Sequence, residues 1–187
     1  MPLRDLPIVL VGLRGVGKTT VGRLLARELA LEFIDLDEEI ARRAMSRGEA
    51  EVGSSAGDLL ERCGLAEFRA LETAALEALL DPPRPIVVAA GGGVVEADSN
   101  RGLLRRRALC LWLRDTPEVL ASRVDADPRK RPALVPGGSL AEARELERIR
   151  APLYSEVARI ELDCGARSPE KIAAAMLQGL SLLRASP

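Results

Sequence analysis

Gly12-Leu13-Arg14-Gly15-Val16-Gly17-Lys18-Thr19 is the stretch that decides the fold. It fits G-x-x-x-x-G-K-[ST], a loop in which successive backbone N–H groups wrap nucleotide phosphates, the lysine reaches the β- and γ-phosphates, and the hydroxyl ligates Mg²⁺. Glycine is needed because the chain turns tightly and leaves room for phosphate oxygens. Ile8-Val9-Leu10-Val11 precedes it as an unbroken apolar run, the pattern of a strand buried on both faces of a parallel sheet. Residues 20–29 follow with apolar side chains at helical spacing, so the loop opens onto a helix N-terminus whose dipole favours anions. A glycine-rich turn with no ligand is the competing reading, and the strand before and helix after weigh against it.

Outward from this loop, strand-like runs alternate with helical patterns and no repeat interrupts them. The alternation predicts a single α/β domain over residues 1–187, with a five-stranded parallel sheet flanked by helices. Residues 33–37 read as the second strand, ending in Asp35 and Asp37, with a helix over 37–44. Residues 45–57 are small and polar, a loop or broken helix expected to be mobile. A helix over 59–80, interrupted near Cys63-Gly64, carries Arg69 and Glu72 on one face. Residues 86–90 form a buried strand that runs into Gly91-Gly92-Gly93, where a backbone is expected to approach something closely. A basic helix over 99–107, a strand over 108–113 and a helix over 116–124 follow. Residues 125–138 read as a surface loop, 139–158 as helix, 159–164 as the fifth strand, and 168–183 as a closing helix with Pro169 in its first turn.

At 187 residues and 47% hydrophobic, the chain can bury a core without disulfides or metal. A net charge of −1 and an aromatic content of 2% argue against a nucleic-acid surface, which needs a basic excess and stacking platforms. Cys63, Cys110 and Cys164 are widely separated and lack C-x-x-C spacing, so neither a disulfide framework nor a zinc site is signalled and a reducing cytoplasm fits. No apolar run approaches the roughly 18 residues that span a bilayer, and a soluble, cytoplasmic protein is expected. The chain has no histidine, which excludes Ser-His-Asp and Cys-His hydrolases and H-E-x-x-H metalloproteases. Lys, Arg, Asp and a metal remain, the inventory of phosphoryl transfer.

Asp35 and Asp37, placed on a strand, would point the same way, one holding Mg²⁺ through water and the other accepting a proton from a substrate hydroxyl. Helix capping is the competing reading of either. Strand C-termini beside such a loop are where doubly wound folds bind ligands, which favours chemistry.

The phosphate loop, Phe33-Ile34-Asp35-Leu36-Asp37, Phe68-Arg69-Ala70-Leu71-Glu72, Gly91-Gly92-Gly93, Arg131-Pro132-Ala133-Leu134 and Arg150-Ala151-Pro152-Leu153-Tyr154 together resemble the motifs of shikimate kinases in order and rough spacing. The resemblance implies ATP-dependent phosphorylation of the 3-hydroxyl of shikimate, in aromatic amino-acid biosynthesis, on a nucleoside-monophosphate-kinase-like fold. It implies that Asp37, Arg69, Gly91, Gly92, Gly93 and Arg150 bind shikimate, the two guanidiniums taking its carboxylate. Arginine suits that task because its planar fork matches a carboxylate in two places. Gly15, Val16, Gly17, Lys18, Thr19 and Thr20 would bind ATP, helped by Arg123 and by Arg167 against adenine. Thr19 and Asp35 would hold Mg²⁺. Lys18, Asp37 and Arg131 carry the catalytic assignments, with Arg131 as a lid arginine in a mobile segment over 124–138 and residues 37–70 as the substrate-binding segment.

Some positions depart from the family pattern. The segment between Asp37 and Arg69 is longer than the family norm, Leu60 and Leu65 replace Phe and Glu, and Ala89-Ala90 lacks the usual hydroxyl before the glycines. Two other functions remain on the same scaffold: a kinase for another polyol acid such as gluconate, and a non-catalytic ligand-sensing module. Paired Arg69 and Arg150 with the triple glycine weigh against the first, and retention of Lys18, Asp37 and Arg131 against the second. A monomer is expected.

Overall fold

The computed structural model describes residues 5–127 and 135–185. Five strands form one sheet: β1 (Ile8–Val11), β2 (Glu32–Asp35), β3 (Ile86–Ala89), β4 (Leu109–Arg114) and β5 (Ala158–Asp163). Their spatial order is β2-β3-β1-β4-β5 and every pairing is parallel. All residues of β1 and β3 are buried, because helices cover both faces of the sheet. The expected single α/β sheet is therefore present.

The helices are α1 (Lys18–Leu29), α2 (Leu36–Ser46), α3 (Ala56–Leu80), α4 (Asp98–Arg107), α5 (Pro117–Ala126), α6 (Gly138–Val157) and α7 (Pro169–Ala185). Pairs α1 with α7, α2 with α3, and α5 with α6 pack together. The starts of α3 and α5 are fixed by side-chain caps. Ser55 and Asp58 form a reciprocal capping box at α3, and Thr116 accepts from the Val119 N–H ahead of Pro117 at α5. Gly64, at φ 79° and ψ 169°, breaks α3 where an L side chain would be strained, so the interruption expected near Cys63-Gly64 is there.

Three boundaries differ from the sequence expectation. The second strand stops at Asp35, and Asp37 lies in the first turn of α2, because the Asp35 carboxylate accepts from the Asp37 N–H and caps the helix. The two carboxylates therefore do not share one strand face. The segment expected as loop over 45–57 is shorter, since α2 runs through Ser46 and the Ser55 cap starts α3 at Ala56. The loop expected from residue 125 begins later, as α5 continues through Ala126.

Central β1 has β3 on one side and β4 on the other, so the chain reverses its direction of travel across the sheet there. The crevice beyond the strand C-termini opens at such a point. The phosphate loop leaves β1 into it and the triple glycine leaves β3 into it.

Candidate active site

Gly12 adopts φ 141°, and a Cβ there would collide with the Leu113 carbonyl of β4, so only glycine lets β1 turn into the loop at this depth. Gly17, at φ 94°, caps α1 without a side chain. Lys18 Nζ donates to the carbonyls of Gly12 (2.8 Å) and Leu13 (2.9 Å), folding its ammonium over the loop it would share with a phosphate. One residue further along α1, Thr19 Oγ1 donates to Asp35 Oδ2 at 2.8 Å while Asp35 Oδ1 caps α2. A hydroxyl and a carboxylate thus meet at the loop mouth.

A cleft of about 810 Å³ lies over the loop. Gly15, Val16, Gly17, Lys18, Thr19 and Thr20 line it on one side, Asp35, Asp37, Gly91 and Gly92 on another, and Arg123 and Arg167 at the far end. Arg123 Nη1 donates to the Gly15 carbonyl at 3.4 Å and pairs with buried Asp115 at 3.2 Å, which ties α5 to the loop. Arg167 Nη1 donates to the Asp163 carbonyl at 2.7 Å. Arg131 lies outside the described residues.

A smaller pocket opens from this cleft, sharing Arg14, Asp37, Gly91, Gly92 and Glu142 with it and adding Arg69, Glu72, Gly93 and Arg150. Arg150, on α6, is buried, and Arg69, on α3, is largely so. Buried charges require partners. Arg69 pairs with Glu72 at 2.9 Å and with Glu96 at 2.8 Å; Arg150 reaches the other oxygen of Glu96 from Nη2 at 2.7 Å and from Nε at 2.8 Å. Two guanidiniums from different helices therefore converge on one carboxylate. Gly93 makes this possible, since a Cβ there would stand inside the Arg69 guanidinium. Behind them, the Tyr154 hydroxyl donates to the Gly92 carbonyl at 2.5 Å, and its ring packs on Trp112 at 5.7 Å.

Burial raises the Glu72 carboxyl from 4.5 to about 7, the neighbouring Arg69 opposing and Asp37 and Glu96 reinforcing. Glu72 Oε1 is buried without a hydrogen-bond partner and lies close to Gly91. Burial likewise pushes the Tyr154 hydroxyl above its ordinary range, so it remains a donor.

The family model for "Shikimate kinase" matches residues 14–181. The chain belongs to the shikimate kinase family. A shikimate kinase of Bordetella pertussis is 45% identical over 161 residues, which cover 86% of this chain and 72% of that protein. One from Thiobacillus denitrificans is 40% identical over 177 residues, covering 95% and 91%. The structure of the shikimate kinase from Acinetobacter baumannii, determined in complex with shikimate, superposes with a TM-score of 0.85 at 32% identity, covering 98% of this chain and 97% of that one. As a shikimate kinase, the chain is an ATP-dependent transferase with a phosphate loop.

Every described residue that the sequence assigned to catalysis, ATP, shikimate or metal lines the cleft or its side pocket. The sequence reading did not select Glu96, which bridges both arginines, or Glu142, whose carboxylate lies 3.5 Å from Arg14 of the phosphate loop. Glu96 follows the triple glycine closely and carries a weak local signal. Glu142 carries none, because its pairing spans most of the chain.

Proposed function

We propose that this chain transfers the γ-phosphoryl group of ATP to the 3-hydroxyl of shikimate. The convergence of Arg69 and Arg150 on a single carboxylate position, beside Asp37 and at the mouth of the phosphate-loop cleft, carries the reading. A small anionic polyol needs that chemistry: a doubly held carboxylate at one end and a carboxylate acceptor for its hydroxyl at the other.

In this reading Lys18 exchanges the Gly12 and Leu13 carbonyls for phosphate oxygens, and the loop amides and α1 dipole hold the remaining charge. Arg69 and Arg150 fix the ring so that its hydroxyl faces the γ-phosphorus. Asp37 orients that hydroxyl and takes its proton as the oxygen bonds to phosphorus. The bond from phosphorus to the bridging oxygen breaks, and ADP leaves with the electron pair. Tyr154 holds the Gly92 carbonyl in place, which keeps the glycine turn open to the ring.

Thr19 and Asp35 are oxygen donors suited to a hard divalent cation, and among the described residues no cluster of three or more acidic, cysteine or histidine ligands competes for it. Mg²⁺ is the cation proposed there, held mostly by phosphates and water; bound, it neutralises charge on the β- and γ-phosphates. Arg131 is proposed as the cation that closes over the phosphates, Arg123 and Arg167 as ATP contacts, residues 37–70 as the substrate-binding segment and 124–138 as the lid. The whole chain is read as one domain acting as a cytoplasmic monomer. Three unpaired thiols suit a reducing compartment, and no helix among the described residues is long and apolar enough to cross a membrane.

The test is a coupled ADP-release assay with Mg·ATP and shikimate, gluconate, quinate or no acceptor. Shikimate-dependent turnover is expected, with Asp37→Asn losing about 10²- to 10⁴-fold in kcat while ATP affinity stays within about twofold. ATP binding without turnover on shikimate would overturn the reading, and a fully active Asp37→Asn enzyme would remove Asp37 from its role.

A further inference from the structure

The carboxylate between Arg69 and Arg150 belongs to the chain itself. Glu96 stands in the turn between the triple glycine and α4, and that turn is fixed from several sides. Its N–H donates to the Gly93 carbonyl at 2.9 Å, and its carbonyl accepts from Arg101 Nη1 at 3.2 Å. The preceding Val95 carbonyl accepts from the same nitrogen at 2.7 Å, and the Val94 carbonyl from buried Asn100 at 3.0 Å. With the backbone held, only the Glu96 side chain is free to choose a direction, and it turns both oxygens inward. One oxygen meets Arg69 at 2.8 Å and the other meets Arg150 at 2.7 Å and 2.8 Å. About a third of the side chain is exposed, so a path back to water is open to it.

We infer that Glu96 is a tethered competitor of the substrate carboxylate: it occupies both arginines in the empty site and must swing out to solvent when shikimate binds. The inference rests on the function proposed above, because it takes Arg69 and Arg150 as the substrate's carboxylate receptor. Two consequences follow from the geometry. While the site is empty, the Glu96 carboxylate offsets one of the two guanidinium charges and holds both groups in binding geometry. Shikimate then binds against the Glu96 pairing rather than against water, and acids with a carboxylate alone, lacking ring hydroxyls to add contacts elsewhere, are poorly held. Glu96 thus raises the threshold for occupancy and makes it depend on the hydroxyls.

Glu96 does not line the phosphate-loop cleft, so its removal acts on KM rather than on kcat. The experiment compares wild type with Glu96→Gln and Glu96→Ala, measuring steady-state kinetics for shikimate at saturating Mg·ATP. Direct titration of shikimate onto the nucleotide-free protein gives the affinity independently. Inhibition by cyclohex-1-ene carboxylate, which keeps the carboxylate and lacks the hydroxyls, is measured alongside. The expected result is a fall of about three- to tenfold in both KM and Kd for shikimate, the range set by breaking two partly exposed ion pairs, with an equal or larger fall in the inhibitor's Ki. A Glu96 that merely supports the arginines predicts the opposite, a rise in KM in both variants. Wild-type turnover with KM unchanged or raised in the variants overturns the inference and leaves the function standing. Wild-type protein that gives no shikimate-dependent ADP release overturns both.

Discussion

Glu72 is where burial and charge oppose each other most directly. It lies on α3, fully buried, paired with Arg69 on the same helix and facing Asp37 of α2 and Glu96 of the turn after β3. Desolvation wins over the arginine and holds its carboxyl at about 7 instead of 4.5. The folded pKa is above the unfolded one, so folding favours the protonated form. The stability associated with that proton is complete below about pH 4.5 and is lost as pH rises through 7. At about 1.4 kcal/mol per pH unit, the loss from this group reaches about 3 kcal/mol above pH 8. Glu72→Gln removes the titration and keeps the volume. Urea unfolding from pH 5 to 8 is expected to show a stability difference between variant and wild type that moves by about 3 kcal/mol in favour of the variant as pH rises. A difference independent of pH would mean that Glu72 is ionised throughout, held by Arg69. The partnerless Oε1 beside Gly91 agrees with the protonated form, which can donate to a substrate hydroxyl or to Asp37.

At the scale of elements, the site depends on turns that deliver side chains from α3 and α6 to the end of β3. Gly93 is the narrowest of these passages. Its φ is not left-handed, so glycine is required there by the Arg69 guanidinium pressed against it and not by backbone strain. The atoms a Cβ would strike are the far end of a flexible side chain, so Gly93→Ala is expected to fold and to displace Arg69. KM for shikimate should rise at least about tenfold, the loss of about 1.4 kcal/mol of carboxylate binding, with ATP affinity unchanged. Retention of the wild-type KM would show that Arg69 has another route to the substrate. The triple glycine announced such a close approach, and the helical spacing of Arg69 and Glu72 announced their pairing, because both signals are local. The strand and helix order was legible for the same reason, since buried runs and amphipathic repeats report their own periodicity. Asp37 was read as both the strand's last residue and the helix's first, and the structure keeps only the helix. Helix capping, the competing reading of the two aspartates, holds for Asp35, which spends one oxygen on the Asp37 N–H and the other on Thr19. Glu142 escaped notice because it finds its partner across the fold, where sequence spacing carries no information, and Glu96 offered only its closeness to the triple glycine.

For the whole molecule, the three cysteines report whether sheet and helices open together. Cys110 sits in β4, in register with Val9 of β1 and Ala158 of β5, and is fully buried. Cys164 follows β5, its N–H donating to the Arg114 carbonyl at 2.8 Å, and is equally buried. Burial pushes their thiols up to about 12 and about 11 respectively, and the thiolate is the form that reacts. Cys63 is partly exposed beside the Gly64 break in α3. An aromatic disulfide reagent at pH 8 is therefore expected to modify one thiol of the native protein quickly and the other two only through opening. The strands on either side of β4 are β1, which feeds the phosphate loop, and β5, which feeds α7 packed on α1. Exposing Cys110 thus dismantles the nucleotide cleft, and a two-state domain predicts that Cys110 and Cys164 react at one common rate with the same urea dependence. Mg·ATP and shikimate, each added alone, bind only the closed form, so each should slow both thiols by about a hundredfold at a hundred times its own dissociation constant. If Cys164 reacts much faster than Cys110 and ignores the ligands, the β5 and α7 edge opens as a separate unit. ATP binding then depends on a smaller part of the sheet, centred on β1, β3 and β4.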